Sequence, residues 1–515
     1  MDEGLLERLC GEGRALSKKG EWDKAIAKFT EAVQIDPELA DAYCWRAAAY
    51  SHKGEHDKVI ADLDKAIQIH PTDPLVYQLR SFAYEGKGEF EKAIADLSEA
   101  LQIAPDDGGV RYNRGLAYFK EGELDLAIAD FTEVIRLIPD LPDAHLNRGK
   151  AFSHRGQYDN AIADFGEVIR TDPENAMAYC SRGLVYRKKD DLDKAIADYT
   201  QALRIDPEMI DAYCWRATAF SHQGEYDKVI DDLSEAIRIN PEDALLYQLR
   251  GFAYEAKSED DKAISDMSEA IRIDPDDGGT YYNRGLAFAR KSNFDAAVAD
   301  FTKTVELLPD LLEAYLNRAK VFSHQGEHRK AIKDLSEAIR LNPQDADVYQ
   351  LRSFAHEAND ELDRALADLG EAIRLVPQNA GIYYNRGLVH FRKDDLDSAI
   401  ADFTKVIELL PDLADAYLNR GSTYLGKGEF DLAIADFTEA IRINPQMADA
   451  YCWRGAAYSH KEDHKKVIED VSEAIRLDPK NAEIYMSRGL AYREQGQEDK
   501  AEADFGKAKE LGFPE

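Results

Sequence analysis

The amino-acid sequence predicts an all-α protein built from tandem copies of one helical unit. Fourteen prolines recur every 34 residues, without a gap, from Pro37 to Pro479. The rare pair Cys-Trp returns in the segments AYCWRA, AYCWRA and AYCWRG, at Trp45, Trp215 and Trp453. The separations of these tryptophans, 170 and 238 residues, are both multiples of 34. A period of this length indicates a repeat array.

Each unit contains two stretches with the spacing of a helix. In the unit that begins at Gly278, the residues Tyr281, Gly285 and Phe288 follow the spacing i, i+4, i+7, which places them on one helical stripe. A second stripe with the same spacing consists of Ala297, Phe301 and Thr304. Nine of the fifteen units carry Gly between the two stripes, where a helix ends in left-handed conformation. The recurring proline ends the second helix.

The register of the prolines predicts a single array over residues 6–515. Fifteen units begin at residues 6, 40, 74 and so on, no linker interrupts them, and only Met1–Leu5 are left over. In the last unit, 482–515, Glu502 and Lys509 replace the aliphatic residues of positions 21 and 28. Since a terminal repeat needs a polar outer face, we expect 482–515 to be a capping repeat that completes the array.

The unit resembles the tetratricopeptide repeat (TPR). Position 4 is Tyr in twelve units, position 8 is Gly, Ala or Ser in all fifteen, position 20 is Ala or Val, and position 27 is Ala in eleven. The resemblance extends over essentially the whole chain. It implies a right-handed superhelical solenoid of fifteen helix-turn-helix repeats. It also implies a concave groove lined by positions 2, 5, 6, 9, 12 and 13 of the first helices, and a role in protein binding.

A pair of opposite charges distinguishes this unit from its family. Position 7 is Arg and position 23 is Asp in repeats two to fifteen, as in Arg284 and Asp300. In repeat one both change together, to Glu12 and Lys28. An ion pair within one repeat explains this exchange, whereas a pair to the next repeat would place Lys28 against Arg46. The alternative is that the arginine stripe binds an anion.

Charge and cysteine usage restrict the partner and the compartment. The formal net charge of -34 disfavours phosphate backbones and anionic membranes, so neither nucleic acid nor membrane is expected as a partner. The sequence has no apolar run of membrane-spanning length and no signal peptide. All five cysteines occupy position 5, and stacked helices place such positions about 8–10 Å apart, too far for a disulfide. A cytoplasmic protein is predicted.

No catalytic or metal-binding motif is present in the sequence. It has no P-loop, no Gly-x-Ser-x-Gly and no His-Glu-x-x-His. The segment DPDDGG at Asp274–Gly279 lacks the downstream Glu of a calcium loop. Histidine pairs such as His52 and His56 span the predicted turn, which breaks the helical geometry that a metal needs. Neither an enzyme nor a cofactor nor a metal is expected.

The three Cys-Trp segments are the first candidate binding sites in the predicted groove. Each tryptophan is followed seven residues later by a histidine on the same stripe and preceded by an aspartate. An acidic, aromatic pocket of this kind could hold Lys or Arg by cation–π contact. The alternative is that duplication of blocks of repeats copied the segment. The residues are Trp45, Trp215, Trp453, His52, His222, His460, Asp41, Asp211 and Asp449.

Six asparagines at position 6 are the second candidates. An Asn amide can donate to and accept from one peptide unit, so it can hold an extended backbone without reading its sequence. The peptide-binding superhelix of O-GlcNAc transferase is similar, with an Asn ladder at the matching position. The alternative is that the segment NRG is merely the common form of this repeat. The residues are Asn113, Asn147, Asn283, Asn317, Asn385 and Asn419.

We therefore predict a non-catalytic protein–protein interaction scaffold. Its concave groove would bind an extended, basic or neutral segment of a protein partner, through many weak contacts and a few aromatic anchors. The carboxylate clamp of chaperone-binding members is not supported, because position 5 is never Lys and position 9 is never Asn. The alternative is an assembly protein that self-associates, or docks on a large complex, through its convex or end faces.

Overall fold

A computed structural model describes residues 3–513, and this part of the chain contains thirty α-helices and no strand. The helices form fifteen consecutive pairs, one pair for each 34-residue unit. The all-α fold of tandem helix-turn-helix repeats is thereby confirmed. Pro514 and Glu515, at the end of the predicted array, and Met1 and Asp2, before it, lie outside the described residues.

The chain forms two compact units, divided between Ser258 and Glu259. Odd-numbered helices are the first helices of their repeats and even-numbered helices are the second. The first compact unit contains α1 (Glu3–Lys18), α2 (Trp22–Ile35), α3 (Ala40–His52), α4 (His56–Ile69), α5 (Pro74–Gly86), α6 (Phe90–Ile103), α7 (Gly108–Glu121), α8 (Leu124–Leu137), α9 (Pro142–His154), α10 (Tyr158–Thr171), α11 (Ala176–Lys188), α12 (Leu192–Ile205), α13 (Ile210–His222), α14 (Tyr226–Ile239) and α15 (Ala244–Ala256). The second contains α16 (Asp260–Ile273), α17 (Gly278–Arg290), α18 (Phe294–Leu307), α19 (Leu312–His324), α20 (His328–Leu341), α21 (Ala346–Ala358), α22 (Leu362–Leu375), α23 (Ala380–Arg392), α24 (Leu396–Leu409), α25 (Ala414–Gly426), α26 (Phe430–Ile443), α27 (Ala448–His460), α28 (His464–Leu477), α29 (Ala482–Glu494) and α30 (Glu498–Glu510).

The turn between the two helices of a repeat requires a left-handed residue at position 15. Nine repeats use Gly there, for example Gly122 with φ 89° and Gly428 with φ 79°. The predicted role of these glycines is confirmed. The other six repeats hold the same conformation without Gly, with φ between 57° and 63°. These residues are Asp190, Ser258, Ser292, Asp360, Asp394 and Glu462.

The core of each repeat depends on matched side-chain sizes at positions 8 and 24. Phe131 of α8 is fully buried. A Cβ added to Gly115 of α7 would lie only 2.8 Å from the Phe131 ring. Where position 24 is the smaller Leu, position 8 carries a side chain: Ala47 accompanies Leu63, and Ser81 accompanies Leu97. Close packing leaves room for only one of the two groups to be large.

The predicted ion pair within each repeat is confirmed. In all thirteen repeats where both residues lie in one compact unit, Nε of Arg at position 7 donates to Asp at position 23 at 2.7–2.9 Å. The Nη2 atom donates to the other oxygen at 2.5–2.8 Å. In repeat one, Lys28 lies 3.5 Å from Glu12, so the charges are exchanged but the pair persists.

The same arginine also connects its repeat to the one before it, a link that was not predicted. Nη1 of Arg46 donates to Thr30 Oγ1 at 3.0 Å, and that hydroxyl donates to the carbonyl of Ile26 at 2.7 Å. In other repeats position 25 supplies Ser or Asp, as in Ser98 and Asp64. The guanidinium donors are thus used inside the protein, which favours the ion pair over the anion site.

Candidate functional site: the first-helix face

The predicted groove corresponds to the surface formed by positions 2, 5, 6, 9, 12 and 13 of the first helices, here called the first-helix face. Successive first helices approach one another, since α7 contacts α9 and α17 contacts α19. Side chains at these positions from two neighbouring repeats therefore converge on one surface. Most positions that line the cavities described next belong to this face.

Cavities open on the first-helix face between consecutive first helices. The largest of three such cavities, about 450 Å³, lies between α27 and α29, with Val467 and Val471 of α28 as its floor. A cavity of about 340 Å³ lies between α19 and α21. A cavity of about 220 Å³ lies between α13 and α15. The volume of the first falls in the usual range for ligand pockets.

The three Cys-Trp segments, although nearly identical, place their tryptophans in different surroundings. Trp45 is half-buried, with its ring 5.9 Å from that of Phe29 and the Arg14 guanidinium 4.6 Å above it. Trp215 is half-buried and lies 6.1 Å from the Tyr199 ring. Trp453 is 46% exposed and lines the largest cavity. Of the three predicted sites, only the third offers an open aromatic surface in a cavity.

The histidines of these segments are exposed at the far end of the first helix. His52 stacks on Trp22 with ring centres 4.0 Å apart, and His460 stacks on Phe430 at 4.7 Å. Both partners lie at position 17 of the preceding repeat. His222 has the aliphatic Leu192 at that position. Two of the three imidazole rings are therefore held by stacking. Within residues 3–513, no group of His, Cys, Asp and Glu side chains could hold a metal ion.

Three of the six candidate asparagines form hydrogen bonds to tyrosines of the preceding repeat. Nδ2 of Asn147 donates to Tyr112 Oη at 2.8 Å and to the Asp143 carbonyl at 3.0 Å. Asn317 and Asn419 make the same tyrosine contact, at 2.9 and 2.8 Å. Burial raises the pKa of these tyrosines above that of an exposed phenol. The remaining three candidates, Asn113, Asn283 and Asn385, each follow one of these tyrosines in the chain.

Five exposed apolar side chains on this face were not predicted from the sequence. They lie at positions 2 and 9 of repeats three and eight and at position 9 of repeat eleven, and they are 41–56% exposed. Phe354 lines the cavity of about 340 Å³, and Phe252 lines the cavity of about 220 Å³. A signal was present, because these repeats alone carry Phe at position 9. The residues are Leu75, Phe82, Leu245, Phe252 and Phe354.

The cysteines do not contribute reactive groups to this face. All five are free thiols, as their spacing predicted. Burial raises the pKa of Cys44, Cys214 and Cys452 to about 11 and that of Cys180 to about 12. A thiol is a poor nucleophile well below its pKa.

No helix among residues 3–513 is long and apolar enough to cross a membrane.

Comparison with known proteins identifies the family. Models described as TPR repeat match residues 13–54, 83–122, 115–154, 152–190 and 358–394. Models described as tetratricopeptide repeat match 40–73, 176–209, 210–243, 244–277, 312–345, 380–413, 414–447, 448–481 and 472–503. The chain belongs to the tetratricopeptide repeat family. A TPR array of this kind is a protein–protein interaction scaffold.

Among solved structures, this TPR chain is similar to MamA, with 29% identity over 33% of this chain and 93% of that one, at a TM-score of 0.32. It is also similar to YrrB, described as a TPR protein with an unusual peptide-binding site, with 21% identity over 38% and 97% and a TM-score of 0.33. The structure of Naa15/Naa10 bound to HypK-THB matches 99% of this chain and 94% of that one, with 12% identity and a TM-score of 0.35. No curated protein matches the chain.

Proposed function

We propose that this TPR protein is a non-catalytic scaffold that binds an extended, basic or neutral segment of a protein partner on its first-helix face. The observation that carries the proposal is the recurrence of exposed apolar side chains beside open cavities on that face, as at Phe252 and Phe354. Exposed apolar groups that border a cavity are typical of an interaction surface.

Apolar side chains would supply most of the affinity, and asparagine amides would bind the backbone of the partner. Burying one large apolar side chain contributes roughly 1.5–3 kcal/mol, so a few anchors such as Leu245 and Phe252 would dominate the affinity. We assign the backbone contacts first to Asn113, Asn283 and Asn385. The amide N–H groups of Asn147, Asn317 and Asn419 already donate within the chain, so these residues would use their carbonyl oxygens.

The charge of the chain selects the chemistry of the partner. A net charge of -34 attracts basic segments and repels the phosphates of nucleic acids and of anionic lipids. We therefore propose a protein partner met in the cytoplasm. Because such attraction is screened over about 10 Å at 0.1 M salt, its strength should depend on ionic strength.

A pool of randomised synthetic peptides of about twelve residues, presented to the full chain, tests this function. Peptides retained at low salt should be rich in Lys, Arg and aliphatic residues, and salt should weaken their binding. Leu245→Ser should weaken binding about tenfold or more, because the leucine is a 56% exposed residue of the first-helix face. Leu126→Ser removes a 46% exposed leucine from a second helix of the same compact unit and is the matched control. Equal binding by both variants and the parent would refute the proposal.

One observation favours the alternative of assembly. Leu126 in α8 and Leu432 in α26 are exposed at position 19 of second helices, away from the first-helix face. If these leucines mediate self-association, light scattering should show the mass rise with concentration. Leu126→Ser and Leu432→Ser should then abolish the rise while Leu245→Ser leaves it unchanged. A constant monomer mass would remove this alternative.

A further inference from the structure

The neighbours of α27 distinguish its Cys-Trp segment from the two earlier copies. The following first helix, α29, presents Glu483, Ser487, Leu490 and Glu494 at positions 2, 6, 9 and 13. At the same positions, α5 presents Leu75, Leu79, Phe82 and Gly86, and α15 presents Leu245, Leu249, Phe252 and Ala256. The near-identical helices α3 and α13 are therefore followed by first helices with apolar side chains at these positions, whereas α27 is followed by a helix with two glutamates there.

The size of the cavity also has a cause in the sequence. Repeat fourteen has Gly455 at position 8 and Val471 at position 24, and both side chains are small. A Cβ on Gly455 would lie 3.1 Å from a Val471 methyl group, instead of meeting the aromatic ring found opposite Gly115. Repeats two and seven place Ala and Leu at these positions. Gly455 and Val471 both line the cavity, so neither a Cβ at position 8 nor an aromatic ring at position 24 occupies this wall.

Charge inside this cavity is uncompensated. Asp449, Glu483 and Glu494 line it, and no Lys or Arg of the described residues forms an ion pair with them. His460 and His464 also line the cavity, but the His460 ring is stacked on Phe430. An exposed indole with Asp449 one turn away, in a cavity whose other wall has a carboxylate at each end of α29, forms an environment complementary to a cation.

Repeat two shows which cation a tryptophan at this position of the repeat can bind. There the chain supplies its own guanidinium, from Arg14, 4.6 Å from the centre of the Trp45 ring. Arg14 occupies position 9 of the preceding repeat, and the corresponding residue before Trp453 is Ser422. Trp453 therefore keeps the aromatic surface that binds a guanidinium in repeat two, but it lacks an arginine at the equivalent position.

We propose that the cavity between α27 and α29 binds the side chain of one Lys or Arg residue from the partner. The ammonium or guanidinium group lies against the face of Trp453 beside Asp449, which is one helical turn away, while Glu483 and Glu494 line the cavity from the two ends of α29. Leu490 and the valine floor contact the aliphatic part of the side chain. The assignment rests on the proposed function, because it makes this cavity a specificity pocket of the first-helix face.

Fluorine NMR of the full chain labelled with 5-fluorotryptophan tests the pocket directly. The four tryptophans give four signals, which single Trp→Phe variants assign. The probes are Nα-acetyl-lysine amide, Nα-acetyl-arginine amide and the uncharged isostere Nα-acetyl-norleucine amide, at about pH 7.5, above the usual titration range of histidine. We expect the two cationic probes to shift the Trp453 signal saturably, with a Kd on the order of millimolar, and norleucine to leave it in place.

Carboxylate variants show whether the shift arises in this cavity. Asp449→Asn, Glu483→Gln and Glu494→Gln should each weaken cation binding about two- to fivefold. Asp41→Asn changes the equivalent residue of repeat two, in the same first turn of a near-identical helix, and should have no effect on the Trp453 signal. An unmoved Trp453 signal, an equal response to norleucine, or equal effects of Asp449→Asn and Asp41→Asn would overturn the proposal.

The outcome separates the pocket from the wider function. Peptides that bind the first-helix face and lose affinity in Leu245→Ser, while Trp453 does not respond to cations, would overturn the pocket and keep the scaffold. A cation response at Trp453 with no peptide bound by the chain would keep the pocket and overturn the extended groove.

Discussion

Arg284 and Asp300 join the two helices of repeat nine by a two-pronged ion pair. Nε of Arg284 donates to Oδ2 at 2.8 Å, and Nη2 donates to Oδ1 at 2.8 Å. A third donor, Nη1, reaches Ser268 Oγ of the preceding repeat at 2.9 Å. The carboxylate is buried and the guanidinium is mostly shielded from solvent. One side chain therefore holds three helices, α16, α17 and α18, in a fixed relation.

Removing one partner of this pair should destabilise repeat nine. Arg284→Met leaves a buried carboxylate without its cation, which costs about 3 kcal/mol. The coupling free energy of Arg284→Met with Asp300→Asn, measured by hydrogen exchange of amides in α17 and α18, should exceed about 1 kcal/mol. Asp300 and Arg318 are the control pair, because Arg318 binds Asp334. Strong coupling of Asp300 to Arg318 would contradict the assignment within one repeat.

The charge exchange in repeat one shows why the sequence could predict this pair. Positions 7 and 23 vary together, from Arg and Asp to Glu12 and Lys28, and joint variation indicates contact. The link to position 25 could not be predicted in the same way. Its acceptor is Thr30 in one repeat and Asp64 in another, and Gly166 removes it in a third. A donor that accepts several partners leaves no fixed residue type to detect.

Tyr199 carries a buried hydroxyl that should destabilise the protein. The residue is 0% exposed, and Oη has no hydrogen-bond partner among the described residues. Phe occupies the same position in other repeats, as at Phe165. Tyr199→Phe should therefore raise stability by about 1–3 kcal/mol, seen as a higher urea midpoint in α11 and α12. The half-buried Tyr179→Phe should change little. A lower midpoint for Tyr199→Phe would show that the hydroxyl has a stabilising partner, such as an enclosed water.

The thiols should react slowly in the folded protein. Burial raises the pKa of Cys44 to about 11, so at about pH 8 its thiolate fraction falls about a hundredfold or more below that of an ordinary thiol. Alkylation by iodoacetamide should accelerate about tenfold for each pH unit as pH rises towards this pKa. In denaturant, all five cysteines should react at the ordinary rate. Fast labelling of a thiol in the native chain at about pH 8 would contradict the burial described above.

The sequence could predict which helices carry the three tryptophans, but not how accessible their rings are. Family resemblance placed Trp45, Trp215 and Trp453 on first helices, and they lie in α3, α13 and α27. Their exposure depends on residues outside the shared segment: Arg14 covers Trp45, whereas the equivalent residue before Trp453 is Ser422. The repeated segment determines the position of the tryptophan on its helix. The residues of the adjacent repeats determine whether a ligand can reach the indole ring.

Size matching between positions 8 and 24 provides a final test of the packing. Gly115→Ala places a Cβ about 2.8 Å from the Phe131 ring, and such overpacking costs roughly 1–3 kcal/mol. Phe131→Leu alone leaves a cavity and is also destabilising. Gly115→Ala with Phe131→Leu reproduces the natural pair Ala47 and Leu63, so the double variant should lose less stability than the two single changes combined.

The control for this test is a helical glycine with open space around it. A Cβ added to Gly370 in α22 would meet no neighbouring atom within 4 Å, so Gly370→Ala should gain up to about 1 kcal/mol from helix propensity alone. Hydrogen exchange in α7, α8 and α22 measures all four variants. If Gly115→Ala is as favourable as Gly370→Ala, the aromatic ring does not restrict position 8. Additive losses in the double variant would show that the two positions are not matched in size.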